Sequence, residues 1–286
     1  PRRQPPALAP GAVVIPRDQH GISRKDISNN ALRVLYRLDE AGFQAYLVGG
    51  AVRDLLLGGR PKDFDVATDA SPDQVRQLFR NCRLIGRRFR LAHIHFGQEI
   101  IEVATFRGTG DDGDRKLDNG RLLRDNIYGS LEEDIFRRDF TINALYYNIA
   151  DFSLRDDAGG VADIGARRLR LIGEPEARFR EDPVRMLRAA RLAAKLGLTI
   201  EPRTAAPIRE LKHLLENVPQ ARLFEEILKL LLSGNAVACV QLLRELDLHH
   251  GLLPLLDDAL DDPHTGPFAM AALKATDERL RDDRPV

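Results

Sequence analysis

The chain is poor in cysteine. It has two, Cys82 and Cys239, far apart and with no histidine or cysteine beside them at metal-ligand spacing. That excludes a disulfide framework and predicts reduced core thiols in a cytoplasmic protein. An excess of charge of one sign is also missing. Lys+Arg and Asp+Glu both number 43, so bulk electrostatics predicts no nucleic-acid partner, and any basic surface must come from local clustering, mostly of arginine. No apolar run approaches the roughly 20 residues of a membrane span, and the opening PRRQPPALAPGAVVIPRD lacks a signal-peptide core. No internal repeat is present. The first residue is not Met, and FAMAALKATDERLRDDRPV stops just after a helical pattern, so the sequence reads as an internal piece of a longer protein.

What is present suffices for a packed core. The 286 residues are 43% hydrophobic and 30% charged, a length that predicts one large or two medium domains. Residues 1–20, rich in Pro, Arg and Ala at their start, are expected to be disordered. Ile27, Leu32, Leu35 and Leu38 recur at helical spacing, and Gly42 supplies a stop. FQAYLVGG reads as a short strand ending in a glycine pair, and KDFDVAT as a second strand. SPDQVRQLF opens with Ser71 as N-cap and Pro72 at the first helical position. RLIG, LAHIHF and EIIEVATF read as strands, residues 108–121 as a mobile Gly- and charge-rich loop, and FTINALYYNI, FSLRDD and RLRLIG as strand or short helical pieces. From about residue 174 nearly everything is helical. The expected organisation is an α+β domain over residues 21–173 with a mixed β-sheet, followed by an all-α region over residues 174–286.

The chemistry-bearing residues sit where their type is out of place. In KDFDVATDA, Asp63 and Asp65 project to one side of an extended segment and Phe64 and Val66 to the other. Like charges one pleat apart raise each other's pKa unless a cation lies between them, and a divalent metal is the simplest remedy. Taken alone, D-x-D reads first as a turn or a strand edge; its surroundings reverse that order. Gly49 and Gly50 follow an apolar strand, and without Cβ atoms they let a ligand reach backbone N–H groups that bind phosphate oxygens. Arg53, one turn on, offers a charge-assisted contact to the same phosphates, or forms a surface pair with Asp54. The pattern is not G-x-G-x-x-G, which argues against a nicotinamide-dependent oxidoreductase. In RRDFTINALYY, Asp139 enters an apolar segment beside Arg137 and Arg138. The acid can take a ribose hydroxyl or complete a metal environment and the arginines can neutralise a triphosphate, while an Arg–Asp pair capping an element start is the plainer reading. Glu102, in EIIEVATF, joins the metal site if its strand neighbours the D-x-D strand, and otherwise faces solvent.

EDPVRMLRAARLAAKLG carries a fourth element. Asp182 before Pro183 is a good N-cap by residue type. Helical spacing gathers Asp182, Arg185 and Arg188 into a patch about 120° wide, with Arg191 rotated away. A carboxylate beside a guanidinium matches the amino donor and ring acceptor of adenine, and equally of cytosine, whereas guanine and uracil reverse the order. The pair permits A or C and rejects G and U.

In this order, LVGGAVRDLLLG, DFD, RRDFTINAL, EDPVRMLRAARLAAKLG and ARLFEEILKLL, with Arg222 and Glu225 in the last, resemble the class II nucleotidyltransferase superfamily of bacterial poly(A) polymerases and tRNA CCA-adding enzymes. The resemblance runs from about residue 21 to the end. LIGRRFRLAHI, residues 84–94, resembles the polymerase branch; as plain sequence it is a hairpin with Arg87 and Arg88 in its turn. The resemblance implies a nucleotidyltransferase head followed by a helical neck and partial body that orient RNA. It implies Asp63 and Asp65 as Mg2+ ligands and Asp139 as a further essential acid. Gly49, Gly50, Arg53, Arg137 and Arg138 would serve the phosphates, and Asp182, Arg185 and Arg188 the base. The implied activity is transfer of AMP from ATP to RNA 3′ ends, the 3′-hydroxyl attacking the α-phosphate in line as pyrophosphate leaves. CCA addition to tRNA, and RNA or nucleotide binding without catalysis, are the alternatives. The family usually continues into further helical segments, often with a basic tail; neither is in this sequence.

Overall fold

The computed structural model describes residues 12–86, 90–108, 116–118, 121–124, 128–250 and 252–286. It divides into two compact units, Pro1–Gly165 and Ala166–Val286, so the boundary falls at residue 165 rather than the expected 173.

The first unit is built on one mixed eight-stranded sheet. In chain order its elements are β1 (Val14–Ile15), α1 (Asn29–Glu40), β2 (Ala45–Val48), α2 (Gly50–Leu56), β3 (Asp65–Thr68), α3 (Pro72–Leu78), β4 (Cys82–Ile85), β5 (Leu91–Phe96), β6 (Glu99–Thr105), β7 (Lys116–Asp118), β8 (Arg121–Arg124), α4 (Leu131–Phe136), β9 (Tyr146–Asn148), β10 (Leu154–Arg155) and α5 (Gly160–Gly165). The strands lie in the order β1-β10-β9-β2-β3-β6-β5-β4, antiparallel throughout except for the parallel pair β3–β6.

The helices form where the caps stand. Ser28 Oγ accepts the N–H groups of Asn30 and Ala31 to start α1, and Ser71 and Gln74 close a reciprocal capping box on α3. The buried stripe Ala31, Val34, Leu35 and Leu38 of α1, with Val75 of α3, covers one sheet face and meets Leu47, Val66, Ala92, Ile94, Ile101 and Val103. Alternation along the strands therefore sends Asp65, Glu102 and His93 to the opposite face.

Two expectations are corrected and a third falls outside the described residues. Residues 12–20 are not a disordered tail: Val14 and Ile15 pair with Arg155 and Leu154, and Arg17–Gln19 form a 3-10 turn, while residues 1–11 lie outside the described residues. The expected loop over 108–121 contains β7, which pairs with β8 in a two-stranded ladder; residues 109–115 and 119–120 lie outside the described residues. The tip of the polymerase-like stretch, Arg87 and Arg88, also lies outside them.

The second unit is helical around α7 (Val184–Leu196). It contains β11 (Arg168–Leu169), α6 (Pro175–Glu181), α7, β12 (Thr199–Ile200), α8 (Pro202–Ala205), α9 (Ile208–Leu211), α10 (Gln220–Leu231), α11 (Ala236–Glu245), α12 (Pro254–Asp261) and α13 (Gly266–Arg281). It is not wholly α: β11 and β12 form a short parallel pair. Helix α7 packs on α10 and α11, and α13 on α11 and α12. No helix among the described residues is long and apolar enough to cross a membrane.

Candidate active site

Strand β3 begins at Asp65, so Asp63 stands just outside it, yet the alternation holds: Asp63 and Asp65 are exposed, and Phe64 and Val66 are buried. Asp65 pairs in register with Val48, the residue before the glycine turn, and on its other side with Glu102. Glu102 in turn pairs with His93, whose Nε2 lies 3.2 Å from Glu102 Oε2. A row of Asp65, Glu102 and His93 thus crosses three adjacent strands at the end of the sheet where Gly49 and Gly50 leave β2. Strand β6 does neighbour β3, the condition for Glu102 to join the acids, while its side chain stays 40% exposed.

Asp65 keeps surface open to water, yet enough protein surrounds it to disfavour its charge. Burial, then the charge of Glu102, pushes its carboxyl up to about 6, with Arg138 opposing and Asp63 adding to the rise. Asp63, Asp65 and Glu102 offer oxygen donors alone, the type a hard divalent cation takes, although their ligand atoms do not all lie within 4.8 Å of one another.

The glycine turn is held from behind. Gly49 has φ 70°, in the left-handed region, and a Cβ there would lie 3.3 Å from Arg138 Nη1. A Cβ on Gly50 would meet Arg53 Nη2 at 3.4 Å. Arg53 itself is buried. Its Nη2 lies 2.7 Å from Asp54 Oδ1 and its Nη1 donates to Asn143 Oδ1 at 2.7 Å, while Asn143 Nδ2 donates to Asp139 Oδ1 at 3.3 Å. The plainer reading of Arg53, pairing with Asp54, is present, and its further bond to Asn143 ties the glycine turn to the RRD segment. Asp139 is buried, and its Oδ1 also accepts the Phe140 N–H at 2.7 Å, which supports the 3-10 turn Thr141–Asn143.

Sequence reasoning missed Asp134, which is 1% exposed on α4. It accepts from Arg137 Nη2 at 2.5 Å, Arg138 Nη2 at 3.5 Å, the Arg107 N–H at 3.0 Å and the hydroxyl of Tyr146. Burial alone would raise its carboxyl; Arg137, Arg138, Tyr146 and the Arg107 N–H outweigh it and hold the group below the usual carboxylate range. Arg138 Nε also donates to Tyr146 Oη at 2.5 Å. In sequence Asp134 looks like an ordinary first-turn helix acid; its arginines at i+3 and i+4 are the only signal.

In the second unit the expected patch divides. Asp182 ends α6 and makes no side-chain cap on α7; its Oδ2 accepts Arg222 Nη2 at 2.7 Å. Arg185 is buried and donates from Nη1 to Glu181 Oε2 at 2.8 Å and to the Arg178 carbonyl at 2.7 Å. Arg188 is half-buried on α7, and Glu225 is exposed on α10. Asp182 Oδ1 is buried with no hydrogen-bond partner among the described residues, an acceptor that a donor group would satisfy.

The glycine turn and the acid row lie together at one end of a mixed sheet, and the likeness to known proteins identifies the family. Residues 45–170 match the model of the poly A polymerase head domain, and residues 197–260 match one described as the probable RNA and SrmB- binding site of polymerase A. The chain belongs to this nucleotidyltransferase family. Among curated relatives it is 59% identical to Poly(A) polymerase I of Salmonella typhi over 288 residues, 97% of this chain and 62% of that protein. The CCA-adding enzyme of Bacillus subtilis is 41% identical over 222 residues, 78% of this chain and 55% of that one. A solved structure, the Bacillus stearothermophilus CCA-adding enzyme in complex with CTP, superposes with a TM-score of 0.68 at 35% identity, over 84% of this chain and 56% of its own. The chain spans 62% of the length of the Poly(A) polymerase I sequence it matches.

Proposed function

We propose that the chain is the catalytic part of a polynucleotide adenylyltransferase that adds AMP from ATP to RNA 3′ ends in the cytoplasm, without a template and with Mg2+. The carrying observation is the register that sets Asp65 between Val48, at the root of the glycine turn, and Glu102. The identity gap between Poly(A) polymerase I of Salmonella typhi (59%) and the Bacillus subtilis CCA-adding enzyme (41%) favours AMP over CCA addition.

In this reading Asp63, Asp65 and Glu102 hold the divalent cation, which when bound supplies charge neutralisation at the triphosphate. The N–H groups of the Gly49–Gly50 turn bind phosphate oxygens that a side chain would otherwise displace. Arg137 and Arg138, aimed by Asp134, neutralise the triphosphate and the leaving pyrophosphate. Arg53 orients the turn through Asn143 and Asp54. Asp139, fixed by the same asparagine, accepts a ribose hydroxyl. Asp182 and Arg185 read the base edge, with Arg188 beside them; Arg185 would have to share its donors with Glu181. Most of the acceleration comes from positioning and electrostatics.

The test uses the full chain, labelled ATP and an RNA with a free 3′-hydroxyl. Asp63→Ala and Asp65→Ala should each abolish incorporation while circular dichroism stays unchanged; near-normal activity in either overturns the site. Efficient C incorporation from CTP into a tRNA lacking its terminal triplet overturns the adenylyl reading in favour of CCA addition. RNA binding without turnover in Mg2+ overturns catalysis altogether.

A further inference from the structure

Outside the nucleotide site, three side chains converge on the turn between α11 and α12. Asp247, His249 and His250 each offer one ligand atom, and these atoms lie within 4.8 Å of one another, the one such group among the described residues. The turn is fixed from below. Helix α11 stops where Asp247 takes φ 61°, its N–H bonded to the Arg244 carbonyl at 3.1 Å. The Leu248 N–H follows to the Leu243 carbonyl at 2.8 Å, with the Leu248 side chain buried as an anchor.

The three groups already address one another. Asp247 Oδ1 lies 3.2 Å from His250 Nε2, and the two imidazole rings stack with centroids 3.9 Å apart and planes 38° apart. His249 lines an apolar cavity with Leu243, Leu252 and Leu256, and its Nδ1 is buried without a hydrogen-bond partner. A polar atom left in that state is destabilising, and a bound ligand can satisfy it. The other carboxylate oxygen, Oδ2, is taken by Lys212 Nζ. That leaves Oδ1 to face the histidines and fixes the orientation of the carboxylate, as outer-shell partners do at metal centres.

We infer that Asp247, His249 and His250 form a binding site for a divalent transition metal of the zinc class, separate from the nucleotide site. Two imidazoles and a carboxylate suit Zn2+, Co2+ or Ni2+, whereas Mg2+ prefers oxygen alone. Ligand atoms around a tetrahedral ion stand roughly 3.4 Å apart; Asp247 Oδ1 and His250 Nε2 already stand 3.2 Å apart, and side-chain rotation would complete three ligands. His250 is exposed, so the fourth position opens to water. The plainer alternative is an ion pair of Lys212 and protonated His250 on Asp247.

The test is isothermal titration of Zn2+ into the untagged full chain, stripped with chelator. Titration with Co2+, followed by visible absorption, reports the coordination geometry. With Mg2+ in excess to occupy the acid row of the first unit, one Zn2+ per chain is expected, and Co2+ added in the same way should show tetrahedral-type bands. Asp247→Asn and His250→Gln should each weaken binding by about tenfold or more, and His264→Gln, exposed elsewhere, should leave it unchanged. Excess Mg2+ should not compete. No saturable binding, binding indifferent to the Asp247 and His250 variants, or displacement by Mg2+ would each overturn the site. Because the readout is metal binding, it is independent of nucleotidyl transfer.

Discussion

Replacing Asp134 by Asn tests whether one buried carboxylate sets the arginines of the RRD segment. The substitution keeps the shape and removes the charge. Asp134 is buried, while the Arg137 and Arg138 side chains are 27% and 19% exposed. Removing one partner of a fully buried pair costs about 3–5 kcal/mol. The partial exposure of the arginines and the long Arg138 contact reduce this to about 2–3 kcal/mol. An asparagine oxygen can still accept from Arg107 and Arg137, but its amide then confronts the Arg138 guanidinium as donor against donor. All five tyrosines, at 36, 46, 128, 146 and 147, lie in the first unit and the chain has no tryptophan. Tyrosine fluorescence in urea therefore reports that unit alone. The sign with pH is fixed by the lowered carboxyl. Its stabilisation is present above the unfolded carboxylate pKa of about 4 and is lost as pH falls through the folded value. The gap between wild type and Asp134→Asn should therefore be full at neutral pH and close in acid. A loss below about 1 kcal/mol at neutral pH, or a gap that persists in strong acid, would refute the clamp.

Three further outcomes are expected. Gly49→Ala forces a side chain into left-handed backbone against Arg138, and should cost about 1–2 kcal/mol and raise KM for ATP more than it lowers kcat. In metal-free protein the Asp65 carboxyl should titrate near 6 by NMR, and Glu102→Gln should bring it down. Because that pKa is raised on folding, the wild-type chain should gain stability, relative to Asp65→Asn, as pH falls from about 7 to about 4. Asp277, buried on α13, accepts the N–H groups of Ala236 at 2.6 Å and Val237 at 3.1 Å; Asp277→Ala should destabilise the second unit by about 2 kcal/mol or more in far-UV circular dichroism, leaving tyrosine fluorescence unchanged.

Local rules carried the sequence reading a long way. Ser71 and Pro72 set a helix start through capping chemistry, and the alternation in LAHIHF and EIIEVATF set strands, because each signal is complete within a few residues. The same locality made Asp63 and Asp65 visible as misplaced acids. What stayed hidden needed partners distant in sequence. Glu102 was ambiguous because only the pairing of β3 with β6 decides its neighbour. The partner of Asp182 could not be read either, because Arg222 comes from another helix 40 residues on. Residues 12–15 looked like a tail because their strand partner lies about 140 positions away, at Leu154 and Arg155.

The lone parallel pairing among the described residues of the first unit also sets the order in which the acid row can be assembled. Joining β3 to β6 side by side demands a detour through α3, β4 and β5, about thirty residues that must be made and threaded first. A chain still emerging from the ribosome with Asp63 and Asp65 exposed, but β6 unsynthesised, has no third acid and no finished sheet edge. The row of Asp65 and Glu102 therefore cannot be completed before residue 105 has been made, however early β3 is ready.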